Sequence, residues 1–166
     1  MSVNVKTEEG LLMVAGKPYD GNYVTPQMFG AKGDGEHDDT ARIVSAISYA
    51  NSNGKSVYFP KGEYVVTSAI EIPVGFEATG TIASWSEIST SESNGAIIKL
   101  SNNGCLKVKP YAQLSNIALY GTGAEKALHI DGGRSYVHDI TIMNANVGIC
   151  NTNCFCRPQL SEKCST

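Results

Sequence analysis

Residues 24–40, VTPQMFGAKGDGEHDDT, decide the fold of this 166-residue chain. The stretch holds three glycines within six residues, and glycine permits positive φ and close backbone approach. We therefore predict a tight loop with few side chains. Two aspartates follow just before a helical pattern, where carboxylates suit the free N–H groups and the positive end of a helix. We assign to this structural loop and cap Gly30, Gly33, Asp34, Gly35, Asp38, Asp39 and Thr40.

The segment that begins at Thr40 predicts one amphipathic helix. Ile43, Ala46, Ile47 and Ala50 fall at i, i+3, i+4 and i+7, which forms a single apolar stripe. The polar run NSNG at 51–54 has the chemistry of a helix end. Because a short helix is stable only when its stripe covers apolar surface, we expect it to cover the strands that follow.

Short strands follow the helix. Residues 57–59, 64–67 and 69–72 each form an apolar or alternating run, separated by a PKG turn at 60–62 and a PVG turn at 73–75. Strands of three to five residues between turns predict a β architecture with many corners.

Two patterns in the second half repeat at almost the same interval. Residues 106–108 (LKV) and 128–130 (LHI) begin 22 residues apart, and residues 116–119 (NIAL) and 139–142 (DITI) begin 23 apart. Residues 147–149 (VGI) continue the first series after 19. A repeat of about 20–25 residues with two or three strands is typical of a β-solenoid.

In such a solenoid Asn116 and Asp139 occupy equivalent corners. The periodicity alone also fits a sandwich or a jelly roll, since both contain short alternating strands.

Composition limits the classes of function. With 42% hydrophobic residues, 17% charged residues and a net charge of −3, the chain fits one modest soluble domain and shows no basic footprint for nucleic acid or an anionic membrane. The longest apolar run, at 11–15, is too short to span a bilayer, and Glu8 and Glu9 precede it where a signal peptide carries basic residues. We expect no nucleic-acid or membrane partner and no secretion signal.

Four of the five cysteines crowd the end of the chain, at Cys150, Cys154, Cys156 and Cys164. Zinc, a disulfide and an incidental chain end stay open, because the paired C-x2-C of a strong zinc motif is missing. The apolar alternation also stops after Cys150. We predict an irregular, truncated end at 151–166.

The glycine-rich loop does not predict ligand chemistry. It lacks both G-x-G-x-x-G and G-x4-G-K-[ST], and its acidic pair would repel phosphate. Asp34, Glu36, Asp38 and Asp39 offer oxygen ligands for calcium, but without the spacing of an EF-hand, so turn formation and capping explain them more simply. We expect no cofactor and no metal.

Residues 29–35 (FGAKGDG), the DDT at 38–40, the helix and residues 57–64 (VYFPKGEY) together resemble the pectate-lyase-like superfamily. More narrowly, they resemble the start of the β-helix in bacteriophage tailspikes and capsular polysaccharide depolymerases. The resemblance covers residues 24–80 closely and 80–150 through the repeat. It implies an all-β fold, a right-handed single-stranded parallel β-helix, with its N-terminal end closed by the amphipathic helix.

The resemblance also divides the chain and implies partners. We expect an attachment segment at 1–24, a loop and capping helix at 25–55, the first coils at 56–150, about three in number, and the irregular end. Members often form homotrimers whose N-terminal segment contacts other phage tail proteins. The implied partner is bacterial surface polysaccharide, and the implied location is the virion or the extracellular space.

Candidate catalytic residues are few. Glycoside hydrolysis needs two carboxyl groups roughly 5–9.5 Å apart. Asp131 and Asp139 are the best-placed pair on neighbouring coils, with His129 and His138 as acid–base partners, although each also reads as an ordinary outward or turn residue. Of the polygalacturonase motifs N-T-D, D-D, G-H-G and R-I-K, this chain has only D-D, at 38–39.

The resemblance therefore implies a structural and recognition module of a phage tailspike or depolymerase, without complete catalytic machinery. The alternative is an active polysaccharide lyase or glycoside hydrolase acting on capsular or pectin-like polysaccharide. A third reading is a bacterial surface or secreted module that only binds carbohydrate.

Overall fold

The computed structural model describes residues 5–8, 11–14, 17–18, 22–81, 95–124 and 126–152, with side chains from residue 22 onward. The predicted irregular end lies outside these residues from 153 on, as do Cys154, Cys156 and Cys164. The described part holds one short 3-10 helix, Pro26–Phe29, and one α-helix, α1, at Thr40–Ser52. The strands are β1 (Val5–Glu8), β2 (Leu11–Val14), β3 (Lys17–Pro18), β4 (Tyr23–Val24), β5 (Asp34–Asp38), β6 (Ser56–Phe59), β7 (Gly62–Val66), β8 (Ala69–Ile72), β9 (Glu77–Gly80), β10 (Ala96–Ser101), β11 (Cys105–Val108), β12 (Gln113–Thr122), β13 (Lys126–Asp131), β14 (Tyr136–Met143) and β15 (Val147–Thr152).

The N-terminal segment forms a small antiparallel sheet in the order β1-β2-β3. The apolar run at 11–14 is strand β2. Lys17 and Pro18 form β3, which pairs with β2. The attachment role of residues 1–24 stays a prediction.

The later strands pair in parallel and fall into three strips. Strip 1 contains β4, β6, β9 and the first parts of β12 and β14, and strip 2 contains β5, β7, β10 and the second parts of β12 and β14. Strip 3 has the order β15-β13-β11-β8. The chain visits strips 1, 2 and 3 in turn, and we call one such passage a coil.

Four coils are described after α1, rather than the three that we expected: β6–β8, β9–β11, β12–β13 and β14–β15. The fold is thus mostly β, with stacked parallel strands, consistent with a parallel β-helix. Strands predicted at 57–59, 64–67 and 69–72 are confirmed as β6, β7 and β8, with ends shifted by a residue or two.

The predicted repeat fixes the pairing of the coils. Leu106 pairs with Leu128, and Ile117 pairs with Ile140, as the intervals of 22 and 23 require. The last interval is wrong, because Leu128 pairs with Ile149 and not with Val147. Both residues satisfy apolar alternation, so the sequence could not distinguish the two registers.

Inward side chains fill the coils in columns. Ile70, Leu106 and Leu128 stack on successive strands of strip 3, and each is at most 1% exposed. Each such buried side chain contributes about 1.5–3 kcal/mol relative to exposure. The largest fully buried members of the core are Tyr64, Phe59, Ile43, Ile70, Ile72, Ile97, Ile98, Leu100, Leu106, Leu114, Ile117 and Leu119.

Helix α1 begins at Thr40 as predicted, and its stripe is confirmed. Ile43, Ala46, Ile47 and Ala50 are at most 4% exposed, and the helix packs against β4, β6 and β8. The helix therefore lies against the first coil.

The glycine-rich segment is only partly a loop. Gly30, Gly33 and Gly35 have φ of 87°, 59° and 77°, so the predicted use of glycine is confirmed. Asp34–Asp38, however, is strand β5, which pairs with β7. Its backbone satisfies hydrogen-bonding groups along the edge of β7 that a free loop would leave open.

The two aspartates before α1 have different roles. The Asp39 carboxylate is buried and accepts hydrogen bonds from the backbone N–H groups of Lys32, at 2.8 Å, and Gly33, at 2.9 Å, and it makes no capping bond. Asp39 therefore occupies the predicted N-cap position, but its side chain does not cap the helix, because the loop backbone occupies both of its oxygens. Asp38 instead accepts from the N–H of Thr40 at 2.9 Å.

Asp38 also accepts hydrogen bonds from two hydroxyls. The Oγ1 atoms of Thr40 and Thr67 both donate to its carboxylate. These bonds, above all the one from the Thr40 side chain, lower the pKa of Asp38.

Candidate functional site

A short turn joins each strand of strip 3 to the next strand of strip 1. In three of these turns, the residue at the same position has a left-handed backbone conformation. That position holds Gly75, Tyr111 and Arg134, with φ of 69°, 63° and 66°. Each lies two residues before a strand of strip 1 that pairs in register with the next. The three residues are thus stacked at one corner, which we call the corner column. Glycine adopts this conformation freely, whereas other L-residues lose about 1–2 kcal/mol there.

The two side chains of the corner column are available to a ligand. Tyr111 is 61% exposed, and Arg134 is also exposed. Within the described residues, neither the Tyr111 hydroxyl nor the Arg134 guanidinium has a hydrogen-bond or ion-pair partner. The column therefore offers an unpaired cation beside an open aromatic ring.

These residues lie in a cleft of about 900 Å³, the corner cleft, lined by Lys109, Pro110, Tyr111, Asp131, Gly132, Gly133 and Arg134. Hydrogen bonds between coils hold its shape: the Gly75 N–H donates to Pro110 O at 3.2 Å, and Ser135 Oγ donates to Lys109 O at 2.9 Å. The turns of three coils are thereby tied into one surface.

Lys109 is the electrostatic centre of the corner cleft. Its Nζ lies 2.7 Å from Asp131 Oδ2 and 3.4 Å from Glu71 Oε2. The hydrogen bond to Asp131, helped by the charge of Glu71, raises the pKa of Lys109. Lys109 is therefore held as a cation and is poorly suited to act as a base.

A second cleft, of about 420 Å³, lies at the opposite end of the strands of strip 3, where these strands begin. Lys107, Lys126 and His129 are among its lining residues. His129 Nε2 is 2.7 Å from Thr152 Oγ1 on the next coil. The outer side of strip 3 thus carries basic side chains near both ends of its strands, although the chain as a whole has a negative net charge.

The structure separates the predicted catalytic candidates. Asp131 lines the corner cleft and His129 the second cleft. Asp139 lies within β14 with φ of 53°, and its exposed carboxylate is 2.7 Å from Nδ1 of the adjacent His138. Neither cleft contains both aspartates.

The sequence motifs did not reveal Glu71, Lys109, Tyr111 or Arg134, because these residues lie in none of the motifs considered above. One signal was present in the sequence. Tyr111 and Arg134 are 23 residues apart, the same interval that relates residues 116–119 to 139–142. Extending the repeat through the turns would have placed the two side chains together.

Other reactive groups do not form a further site within the described residues. No group of three or more His, Cys, Asp or Glu there is arranged to hold a metal ion. Cys105 and Cys150 are free thiols, and burial raises the pKa of Cys105. No described helix has the length and apolar character needed to cross a membrane.

Short parallel strands in three strips, with polar clefts at the outer corners, define a protein built from stacked β-coils. Residues 25–118, more than half of the chain, match the family model described as Rhamnogalacturonase A/epimerase, pectate lyase-like. The chain belongs to this pectate-lyase-like family, which confirms the resemblance first seen in its glycine-rich segment.

Two curated relatives and one solved structure illustrate the range of the family. The chain is 38% identical over 60 residues to a probable glucan endo-1,3-beta-glucosidase of Arthroderma benhamiae, covering 36% of this chain and 7% of that protein. It is 33% identical over 70 residues to the capsule K30/K69-specific depolymerase 1 of Klebsiella phage K5-2, covering 42% and 9%. The matched segments thus span less than a tenth of these relatives.

The ORF18 structure of Geobacillus virus E2 aligns with a TM-score of 0.53 at 20% identity, over 82% of this chain and 31% of that one. At this level of identity the likeness concerns the fold. It supports the assignment of a mostly β fold with stacked parallel strands.

Proposed function

We propose that this chain is a recognition module of a phage tailspike or depolymerase, which binds bacterial surface polysaccharide and lacks a complete catalytic site of its own. The observation that carries this proposal is the corner cleft. An open aromatic ring and an unpaired guanidinium stand there beside a fixed Lys109–Asp131 ion pair. Aromatic faces and orienting polar groups are what a sugar-binding cleft requires.

We also propose a more specific description of the fold. The coils form a right-handed, single-stranded parallel β-helix, and α1 caps its N-terminal end. Parallel strands joined by crossovers are right-handed in almost all proteins. The buried stripe of α1 lies against β6 and β8, at the start of the first coil. A solenoid needs such a cover, because its end exposes apolar core.

The division into segments, the assembly and the location are proposed with it. Residues 1–24 attach the module to other phage tail proteins, residues 25–55 cap it, and residues 56–150 form the coils of a homotrimer in the virion or outside the cell. Support comes from the separate antiparallel sheet at the N-terminus and from the phage depolymerase among the relatives.

The proposed lack of catalysis rests on the charge arrangement. Asp131 is engaged in an ion pair with Lys109 at 2.7 Å, whereas glycoside hydrolysis needs two carboxyl groups facing the scissile bond. Among the described residues that line the corner cleft, Asp131 is the one carboxylate.

One contact favours the second candidate, an active glycoside hydrolase or polysaccharide lyase. Lys109 Nζ lies 3.4 Å from Glu71 Oε2 and 2.7 Å from Asp131 Oδ2. The distance between these two carboxylate oxygens therefore cannot exceed the sum of the two. Retaining glycosidases hold their carboxyl groups about 5–5.5 Å apart. In this candidate Glu71 and Asp131 replace the pair Asp131 and Asp139 that we predicted from sequence.

The two candidates give different results with purified chain and bacterial capsular polysaccharides. Binding is followed by calorimetry, and cleavage by new reducing ends and unsaturated-uronate absorbance. We expect binding without product. Cleavage that is lost in Asp131→Ala, Glu71→Ala or Asp139→Ala, and kept in the remote surface variant Glu36→Ala, would establish the enzyme instead. A chain that neither binds nor cleaves any capsule would refute both candidates.

A further inference from the structure

We infer that Asn53, at the C-terminal end of α1, is a site of spontaneous deamidation, whereas the fold protects the chemically identical pair Asn103–Gly104. This modification is independent of the recognition function proposed above, because it needs no ligand other than water.

The reaction takes place between an asparagine and the residue that follows it. The backbone nitrogen of the next residue loses its proton and attacks the side-chain Cγ, a C–N bond forms, and the amide nitrogen leaves as ammonia. Water then opens the resulting succinimide at either carbonyl, which yields aspartate or isoaspartate. Glycine favours ring closure because it has no side chain and a freely rotating backbone. The reaction is therefore fastest where the glycine N–H has no hydrogen bond and the chain around it has room to move.

The described residues contain four pairs in which asparagine or aspartate precedes glycine: Asp34–Gly35, Asn53–Gly54, Asn103–Gly104 and Asp131–Gly132. Among these four glycines, Gly54 is the one whose added Cβ would have no atom within 4 Å beyond its chain neighbours. Its N–H has no hydrogen-bond partner among the described residues. Asn53 and Gly54 are also both exposed. Attacking nitrogen and amide therefore stand in open solvent at the end of the helix.

Asn103 is exposed as well, so exposure does not distinguish the two asparagines. The difference lies in the glycine that follows. The Gly104 N–H donates to Ser101 O at 2.8 Å, and a Cβ on Gly104 would lie 2.3 Å from Val66 O on the preceding coil. Ring closure at Asn103 therefore requires the turn to open first, which costs free energy.

Deamidation changes the end of α1. Asn53 Nδ2 donates to Tyr49 O at 2.8 Å, and the Asn53 backbone N–H donates to the carbonyls of Tyr49 and Ala50. A carboxylate cannot donate, and it places a negative charge at the negative end of the helix dipole. Isoaspartate also lengthens the backbone by one methylene. The helix that lies against the first coil therefore becomes less stable as the protein ages.

The test incubates the full chain, folded and in denaturant, at neutral and mildly alkaline pH. Mass spectrometry of the tryptic peptides 43–55 and 100–107, with fragmentation to locate the modified residue, follows both sites in one sample. In the folded chain we expect Asn53 to deamidate about tenfold faster than Asn103, because the Gly104 turn must open first. In denaturant the two rates should converge, since both sites are Asn–Gly pairs.

Two aspartate variants measure the effect on the fold. Asn53→Asp should lower the melting temperature by about 2–4 °C, through the lost hydrogen bond and the added charge. Asn103→Asp makes the same charge change at an exposed turn away from the helix and should leave the melting temperature unchanged. Equal rates at both sites in the folded chain, or an Asn53 that reacts only in denaturant, would overturn the inference. An unchanged melting temperature in Asn53→Asp would overturn the proposed effect on α1.

Discussion

Asn116 and Asp139 occupy matched positions in β12 and β14, with φ of 58° and 53°, where each strand passes from strip 1 to strip 2. The sequence predicted this equivalence because the two residues begin matching runs 23 residues apart. Both residue types also tolerate the left-handed conformation. Tyr111 and Arg134 have the same conformation, but nothing in their side chains indicates it. The types of single residues therefore predict the corners of the coils better than they predict the residues of the corner cleft.

Gly121 tests how closely the coils approach each other. An added Cβ would collide with the backbone carbonyl of Asn144, whose side-chain Nδ2 donates to Gly121 O at 2.7 Å. We expect Gly121→Ala to lower the free energy of unfolding by about 1–3 kcal/mol in denaturant titrations. Gly148→Ala, whose new Cβ meets its nearest atom at 3.8 Å, should change it by less than about 0.5 kcal/mol. Equal losses in the two variants would contradict this account of coil packing.

Asp34 gives a prediction for pH. Backbone N–H groups of His37 and Glu36 donate to its carboxylate and lower its pKa from 3.8 to about 2. Because the folded pKa lies below the unfolded one, the charged form stabilises the fold above pH 3.8, and this contribution is lost as the pH falls toward 2. We expect the melting temperature of Asp34→Asn to fall less steeply with acid than that of the wild type. Parallel curves would show that Asp34 does not contribute.

At the scale of elements, helix α1 and strand β5 show what the sequence reveals and what it does not. The stripe from Ile43 to Ala50 has the helical period, so it predicted the start and the buried face of α1. Residues 34–38, DGEHD, carry no apolar alternation, so the sequence predicts a loop there. They form β5 because β7 offers an edge for their backbone, which is a tertiary effect that residue types do not encode.

The contribution of α1 is measurable with two neighbouring residues. Ile43 is fully buried, whereas Val44 is 45% exposed. We expect Ile43→Ala to lower the free energy of unfolding by about 2–5 kcal/mol, because it leaves a cavity between the helix and the first coil. Val44→Ala should stay within about 0.5 kcal/mol. Similar losses at both positions would mean that the stripe does not pack as described.

At the scale of the whole molecule, the repeat predicted most of the register but not the site. Inward residues such as Leu106 and Leu128 recur visibly because they share one core. The corner cleft combines single residues from turns of different coils, and turns carry no apolar period. Stacking coils brings these residues together, so the repeat must be extended through the turns before the site can be seen.

The proposed homotrimer is a claim about the whole assembly. Light scattering of the purified chain should give three times its mass of 17.7 kDa, with little dependence on dilution. A stable monomer over the same concentrations would rule out the trimer for this chain and would leave the binding proposal to be judged separately.

The central claim is that this chain binds polysaccharide at the corner cleft and does not cut it. The most direct measurement is a titration of isotope-labelled chain with oligosaccharides from a bacterial capsular polysaccharide, following protein amide shifts and sugar signals in the same nuclear magnetic resonance sample. We expect the largest shifts in the turns at 109–112 and 132–135, with the sugar spectrum unchanged over time. Shifts confined to other parts of the surface, or the growth of signals from new sugar ends, would contradict the claim.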